Sequence, residues 1–153
     1  MKNNKLNGVL FLQKCIIINN EGKILALKRE PSDHGRGGAW DLPGGTYERG
    51  EDVIDSIKRE VKEEVDLTVL NLYPLYLANG LDNASQFVDS EIVFAVTHVC
   101  AEWVGEVKIS YEHTEYRWVT PEEFMAYDFG NDGGFFKKSI EAYIENISGN
   151  RHS

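Results

Sequence analysis

The chain has 153 residues, 42% of them hydrophobic, and carries a formal net charge of −9 at pH 7. That length suits one domain over residues 1–153, and that apolar share is enough for a packed core, which excludes a disordered chain. So acidic a surface repels a nucleic-acid backbone, and no nucleic-acid partner is expected; small phosphorylated substrates stay open, because a bound metal reverses the local field.

The N-terminus, Met1-Lys2-Asn3-Asn4-Lys5, is polar, and the apolar stretch after it is broken by Gln13 and Lys14. There is no signal-peptide pattern and no run long enough to span a membrane, so no membrane partner and a cytoplasmic location are expected. Val9 to Ile18 predicts a strand, Asn19-Asn20-Glu21-Gly22 a turn, and Lys23 to Lys28 the return strand. Pro31 to Gly38 is a polar loop, and Trp40-Asp41-Leu42-Pro43 leads to the glycine pair Gly44-Gly45. Asp52 to Val65 predicts the first helix. Leu67 to Ala78 and Gln86 to Cys100 predict strands, and Glu106 to Ser110 and Tyr116 to Val119 shorter ones. Thr120-Pro121-Glu122-Glu123 has a cap, a first-turn proline and a capping-box glutamate, and Phe135 to Ile147 predicts a closing helix. Strands in the first and middle thirds with a helix between them imply a mixed α/β layer structure. Cys15 and Cys100 lie in strand-like segments and read as a buried, reduced thiol pair; two lone cysteines give little support to a disulfide or a metal site.

The first helix carries the chemistry. At about 100° per residue, Val53, Ile54, Ile57, Val61 and Val65 form an apolar stripe, and Glu60, Glu63 and Glu64 share a face. Glu60 and Glu64 fall beside the stripe, which predicts that they sit at the rim of the core. Carboxylates so close repel unless a cation neutralises them, and a hard divalent metal is the natural oxygen-seeking choice. An isolated Glu-rich helix is more often a solvated acidic face, here with Lys58 and Lys62 as charge partners; the surrounding pattern reverses that preference.

From Gly45 the chain runs five residues to Glu51, seven more to Arg59-Glu60-Val61, then Lys62, Glu63-Glu64, Val65, Asp66 and Leu67. This resembles the Nudix box, and eight of its nine specified positions agree. The flanks Trp40 to Gly45, Tyr116 to Val119 and Pro121 to Glu123 are similar to the family's as well, so the resemblance extends roughly from Val9 to Ile147. Asp66 stands where the family has glycine. A left-handed residue is expected there to end the helix, and Asp tolerates that backbone at a cost of about 1 kcal/mol.

The resemblance implies an α/β (α+β) fold with a Nudix-type mixed β-sheet sandwiched between helices. It also implies a hydrolase that cleaves the pyrophosphate linkage of a nucleoside diphosphate joined to another moiety, with Mg²⁺ or Mn²⁺. Carried over residue by residue, Glu60 and Glu64 are the metal ligands, with Glu63 contributing directly or through water and the carbonyl of Gly44 adding a further ligand. Arg59 would hold Glu60 in position, and Glu51 would support the loop–helix geometry. The family's general base varies, and Glu112 is the candidate, with His113 and Glu115 as neighbouring alternatives. Arg29 is the candidate phosphate-binding residue, Arg36 a second, and Trp40 a base-stacking candidate for which packing is the more ordinary role. Core packing is the safer expectation for Tyr76 and Phe87. His34, His98 and His152 read as structural or solvent-facing. Members of the family are often homodimers, so a second copy is among the implied partners.

A second reading is a Nudix-fold nucleotide-binding or sensor module without catalysis. Such modules lose box carboxylates, and Arg59, Glu60, Glu63 and Glu64 are all present here. An isomerase on the same fold lacks evident cysteine chemistry, and a coincidental motif is remote given the joint spacing. Nucleoside triphosphates, ADP-ribose, nucleotide sugars and dinucleoside polyphosphates all stay open as substrates, since specificity lives in loops, here Pro31 to Gly38, Gly80 to Gln86 and Asp128 to Phe136.

Overall fold

Cys15, Ile16 and Ile17 are all fully buried, and so are Ile24 to Leu27. A strand covered on one face alternates apolar with polar residues, whereas one covered on both reads as an unbroken apolar run. The computed structural model, which describes residues 8–33, 36–79, 92–130 and 133–151, places these two runs in internal strands of two sheets. One sheet has the order β4(Gly44–Thr46)-β1(Val9–Ile17)-β6(Ile92–Val104)-β5(Thr68–Asn79), the other β3(Trp40–Asp41)-β2(Ile24–Arg29)-β7(His113–Val119). β1 runs parallel to β6 and antiparallel to β4, so the larger sheet is mixed; the smaller is antiparallel throughout.

Alternate side chains of β1 and β2 enter two separate cores. Ile16, Ile24 and Ala26 pack with Phe124, Phe136 and Ile140, which belong to α2(Pro121–Met125) and α3(Gly133–Arg151). Cys15, Ile17, Leu25 and Leu27 pack instead with Ile57, Val61 and Val65 of α1(Val53–Val65). Helices therefore flank the sheets on both sides, as the expected α+β sandwich requires. The apolar stripe of α1 is buried only over its later turns, for Val53 is 41% exposed.

Local signals act where the chain spells them out. Asn19 Oδ1 accepts from the N–H groups of Glu21 and Lys23 in the first turn. The Asp52 side chain caps α1 by accepting from Asp55 N–H, and Thr120 Oγ1 caps α2 by accepting from Glu123 N–H at 3.1 Å. Asp66 ends α1 in the left-handed region, φ 60° and ψ 27°, and its N–H donates to the Lys62 carbonyl. Cys15 and Cys100 are buried free thiols.

Several boundaries differ from expectation. Glu106 to Ser110 forms no strand. Val107 and Ile109 pack against the α1-side core, and the N–H groups of Lys108 and Ser110 donate to the carbonyls of Val65 and Glu64, each at 2.9 Å. The alternating pattern is thus satisfied by an extended segment pinned to the end of a helix. The lead-in to the glycine pair, to which the sequence assigns no element, supplies two short strands, β3 and β4; β7 begins three residues earlier than expected, and β6 runs on to Val104. The loop at 80–86, Phe87, His34 and His152 lie outside the described residues. No helix among the described residues is long and apolar enough to cross a membrane.

Candidate active site

β4 hands the chain to α1 along the rim of the larger sheet, with Gly44 opposite Lys14 and Gly45 opposite Gln13 of β1. Gly44 has φ 150°, and a Cβ there would overlap the Gln13 carbonyl; a Cβ on Gly45 would overlap the Glu60 carboxylate. The glycine pair therefore lets β4 lie against β1 while α1 folds its carboxylates over the turn. Gly44 N–H donates to Glu64 Oε2 at 3.0 Å.

Glu64 is 8% exposed. Burial pushes its pKa up to about 8, with Lys14 and the Gly44 N–H pulling down and the charges of Asp41 and Glu112 adding to the rise. Glu60 is also raised, first by burial and then by the carboxylates of Glu63 and Glu112, against the attraction of Arg59. Arg59 is the cation that Glu51, Glu60 and Glu63 share. Its Nε and Nη2 form a two-pronged contact with Glu51 at 2.7 and 2.9 Å, while Nη1 lies 3.1 Å from Glu60 and 3.2 Å from Glu63. The Glu51 contact above all raises the pKa of Arg59. Glu51 thus supports the loop–helix junction as expected, helped by the Tyr47 hydroxyl, which donates to its carbonyl. Glu63 is the outermost of the three, its side chain 59% exposed.

The segment before β7 is tied to the same place. Ser110 N–H donates to the Glu64 carbonyl, and Glu112 N–H to Ser110 Oγ. The Glu112 carbonyl accepts from Glu30 N–H at the end of β2. Glu112 is exposed, yet its charge acts on both Glu60 and Glu64. The two alternatives are otherwise engaged. Glu115 pairs with Arg117 at 3.0 Å and Lys28 at 3.9 Å, and His113 is 6% exposed, with burial driving its pKa down to about 4. Among the described residues, no three His, Cys, Asp or Glu side chains converge closely enough to hold an ion by themselves. A ligand set here would draw on Glu60 and Glu64 together with backbone oxygen.

A family model for the NUDIX domain matches residues 14–138, more than half of the chain. The chain belongs to the Nudix family. It is a Nudix-type pyrophosphohydrolase. Over 120 residues it is 30% identical to nucleoside triphosphatase NudI of Escherichia coli O17:K52:H18 (strain UMN026 / ExPEC), a match covering 74% of this chain and 84% of that protein. Its fold is similar to that of the MutT protein from Methanosarcina mazei Go1, with a TM-score of 0.75 at 27% identity over 95% of this chain and 99% of that one. The NUDIX domain of Shewanella oneidensis NrtR complexed with ADP ribose gives a TM-score of 0.70 at 13% identity over 94% of each chain, a likeness of fold alone.

The Nudix-box side chains thus meet at one rim, but the expected substrate contacts do not join them freely. Arg29 donates to Asp41 at 2.7 Å and also pairs with Asp33. Arg36 donates to the carbonyls of Phe129 and Trp40, each at 2.9 Å. Trp40 is 8% exposed and stacks on Tyr127 at 4.5 Å, with the Arg117 guanidinium 5.0 Å from its ring, so it packs. Tyr76 packs beside Phe135. His98 is buried against Gln13 at 2.8 Å, and burial holds its pKa down to about 4.

Sequence reasoning missed Asp41 and Lys14. Asp41 is 1% exposed and has three cations around it: Lys14 at 3.0 Å, Arg29 at 2.7 Å and Arg36 at 3.5 Å. Burial pushes its pKa up, but Lys14, Arg36 and Arg29 together hold it well below the carboxylate range. A signal was available: an Asp between Trp40 and Leu42, and a Lys inside the apolar run of β1, are charges that need partners when buried.

Proposed function

We propose that this Nudix enzyme is a divalent-metal-dependent hydrolase, using Mg²⁺ or Mn²⁺, that cleaves the pyrophosphate linkage of a nucleoside diphosphate joined to another moiety. The observation that carries the metal dependence is Glu64. It is a nearly buried carboxylate, pushed up to about 8, whose hydrogen bond comes from Gly44 N–H and on which the charges of Asp41 and Glu112 also act. Such a group is costly unless a cation arrives, and hard carboxylate oxygens suit a hard divalent ion. The residues fit: Glu60 and Glu64 would hold the ion with the Gly44 carbonyl, and Glu63 would reach it directly or through water. When bound, the ion supplies Lewis acidity toward the diphosphate oxygens and lowers the pKa of water.

The chain's own residues supply the rest. Glu51 fixes Arg59, and Arg59 fixes Glu60 and Glu63 on the face of α1. Gly44 N–H orients Glu64. Glu112, exposed and held at the end of α1 through Ser110, accepts the proton of the attacking water as general base. We place the whole activity in one domain, residues 1–153, acting on a small-molecule nucleotide derivative. We rank nucleoside triphosphates first among the substrates, a choice supported by the 30% identity to a nucleoside triphosphatase. ADP-ribose, nucleotide sugars and dinucleoside polyphosphates follow.

A panel of these compounds with Mg²⁺ or Mn²⁺, scored for phosphate, pyrophosphate and nucleoside monophosphate release, tests the reading. Turnover of a triphosphate that falls by orders of magnitude in Glu64→Gln supports it. Equal activity in both proteins, or none with any substrate, overturns it.

A further inference from the structure

Lys14 stands between two buried carboxylates. Its Cα partner across the β1–β4 pair is Gly44, whose N–H binds Glu64, and partners in such a pair lie about 4.5–5.5 Å apart. A four-carbon stem therefore reaches either acid. It takes Asp41: Nζ lies 3.0 Å from Oδ1 and 3.2 Å from Oδ2, and it also donates to the Leu42 carbonyl at 3.4 Å. The bonds to Asp41 Oδ2 and Leu42 take two of the three ammonium donors, and the ion pair with Oδ1 draws the head toward Asp41. Glu64 is left with the Gly44 N–H, although it feels the Lys14 charge.

The geometry points to Asp41 as a positioning residue that holds the Lys14 ammonium away from Glu64 and so keeps that carboxylate open to a divalent cation. The inference rests on the reading of Glu60 and Glu64 as ion-holding groups. Its logic is one of competition. Without a carboxylate at position 41, Arg29 still has Asp33, and Arg36 still has the carbonyls of Trp40 and Phe129. Lys14 keeps only the long 3.4 Å bond to the Leu42 carbonyl. Its side chain is only 13% exposed, so the released ammonium meets Glu64 before it meets bulk water. A Lys14–Glu64 pair would occupy the oxygens that the ion needs and repel the ion as well.

The test is Mn²⁺ binding to the full chain, read from the electron paramagnetic resonance of free Mn²⁺, with folding checked by near-ultraviolet circular dichroism. Asp41→Asn is expected to weaken Mn²⁺ binding roughly 10- to 100-fold, the usual effect of losing a group behind the ligands. Lys14→Met should bind as wild type or more tightly. The double variant, which removes the freed ammonium, should return close to wild-type affinity. A merely structural Asp41 would give a double variant as weak as Asp41→Asn, and that result overturns the assignment. So does wild-type affinity in Asp41→Asn, or weakened binding in Lys14→Met. If Asp41→Asn does not fold, Lys14→Met and the charge-balanced double variant still decide, because both must match or exceed wild type. A wild-type protein that takes up no Mn²⁺, even with methylene diphosphonate present, overturns instead the ion-holding reading beneath.

Discussion

Glu64 shows how one residue connects stability to function. Its ordinary pKa is near 4.3 in an unfolded chain, and burial pushes it to about 8 in the fold. Between those values the native protein binds more protons than the unfolded one, so its stability falls as pH rises. The contribution is fully present below the unfolded value and lost as pH climbs through the folded one. Glu64→Gln does not titrate. Without divalent ions, its melting temperature should therefore gain on wild type from pH 5 to pH 8, by on the order of 5 °C. Thermal melts across that range check this, and a constant gap contradicts it. Glu112 makes the opposite case, an exposed carboxylate with little to stabilise. Glu112→Gln should lower turnover roughly 10²–10⁴-fold while Mn²⁺ affinity stays near wild type, as rate assays and metal titration would show. An unchanged rate would remove Glu112 as base; Glu115, already paired with Lys28 and Arg117, is a poor replacement.

At the scale of elements, the glycine pair and α1 form one device. The two glycines predict different failures. Gly44→Ala would force a Cβ into the Gln13 carbonyl at φ 150°, where neither backbone yields, and should cost about 1–3 kcal/mol or more of stability by chemical denaturation. Gly45→Ala would meet only the mobile end of Glu60. Its denaturation midpoint should stay close to wild type while activity drops about 100-fold, the effect of misplacing a reacting group by an ångström. Equal loss of stability in both variants would contradict this account. Much of the device is legible in the sequence, because α1 has a local cap at Asp52, a helical stripe and a left-handed stop at Asp66. Glu106 to Ser110 was illegible for a physical reason. Val107 and Ile109 alternate like a strand, but their segment bonds to the carbonyls of Val65 and Glu64 in a helix far back along the chain, and periodicity does not say what the partner is. The Asp41 cluster was hidden for the same reason: Lys14 lies 27 residues from its acid, and pairing at that distance leaves no local trace.

At the scale of the whole molecule, two cores hold two sheets between α1 on one side and α2 with α3 on the other. The site sits where the rim strand β4, the end of α1 and the segment before β7 converge, so three distant stretches of chain must be in place before the charge of Glu112 acts on Glu60 and Glu64. A net charge of −9 works against binding a phosphorylated substrate, and in the proposed reading an arriving divalent ion would make the acidic rim hospitable to a diphosphate. Calorimetric titration of Mn²⁺ into wild type and Glu64→Gln, each with and without methylene diphosphonate, tests that dependence most directly. The account predicts saturable uptake by wild type, strengthened by the diphosphonate and weakened at least about tenfold in the variant. Uptake of equal affinity in both proteins, or none in wild type under either condition, would contradict it.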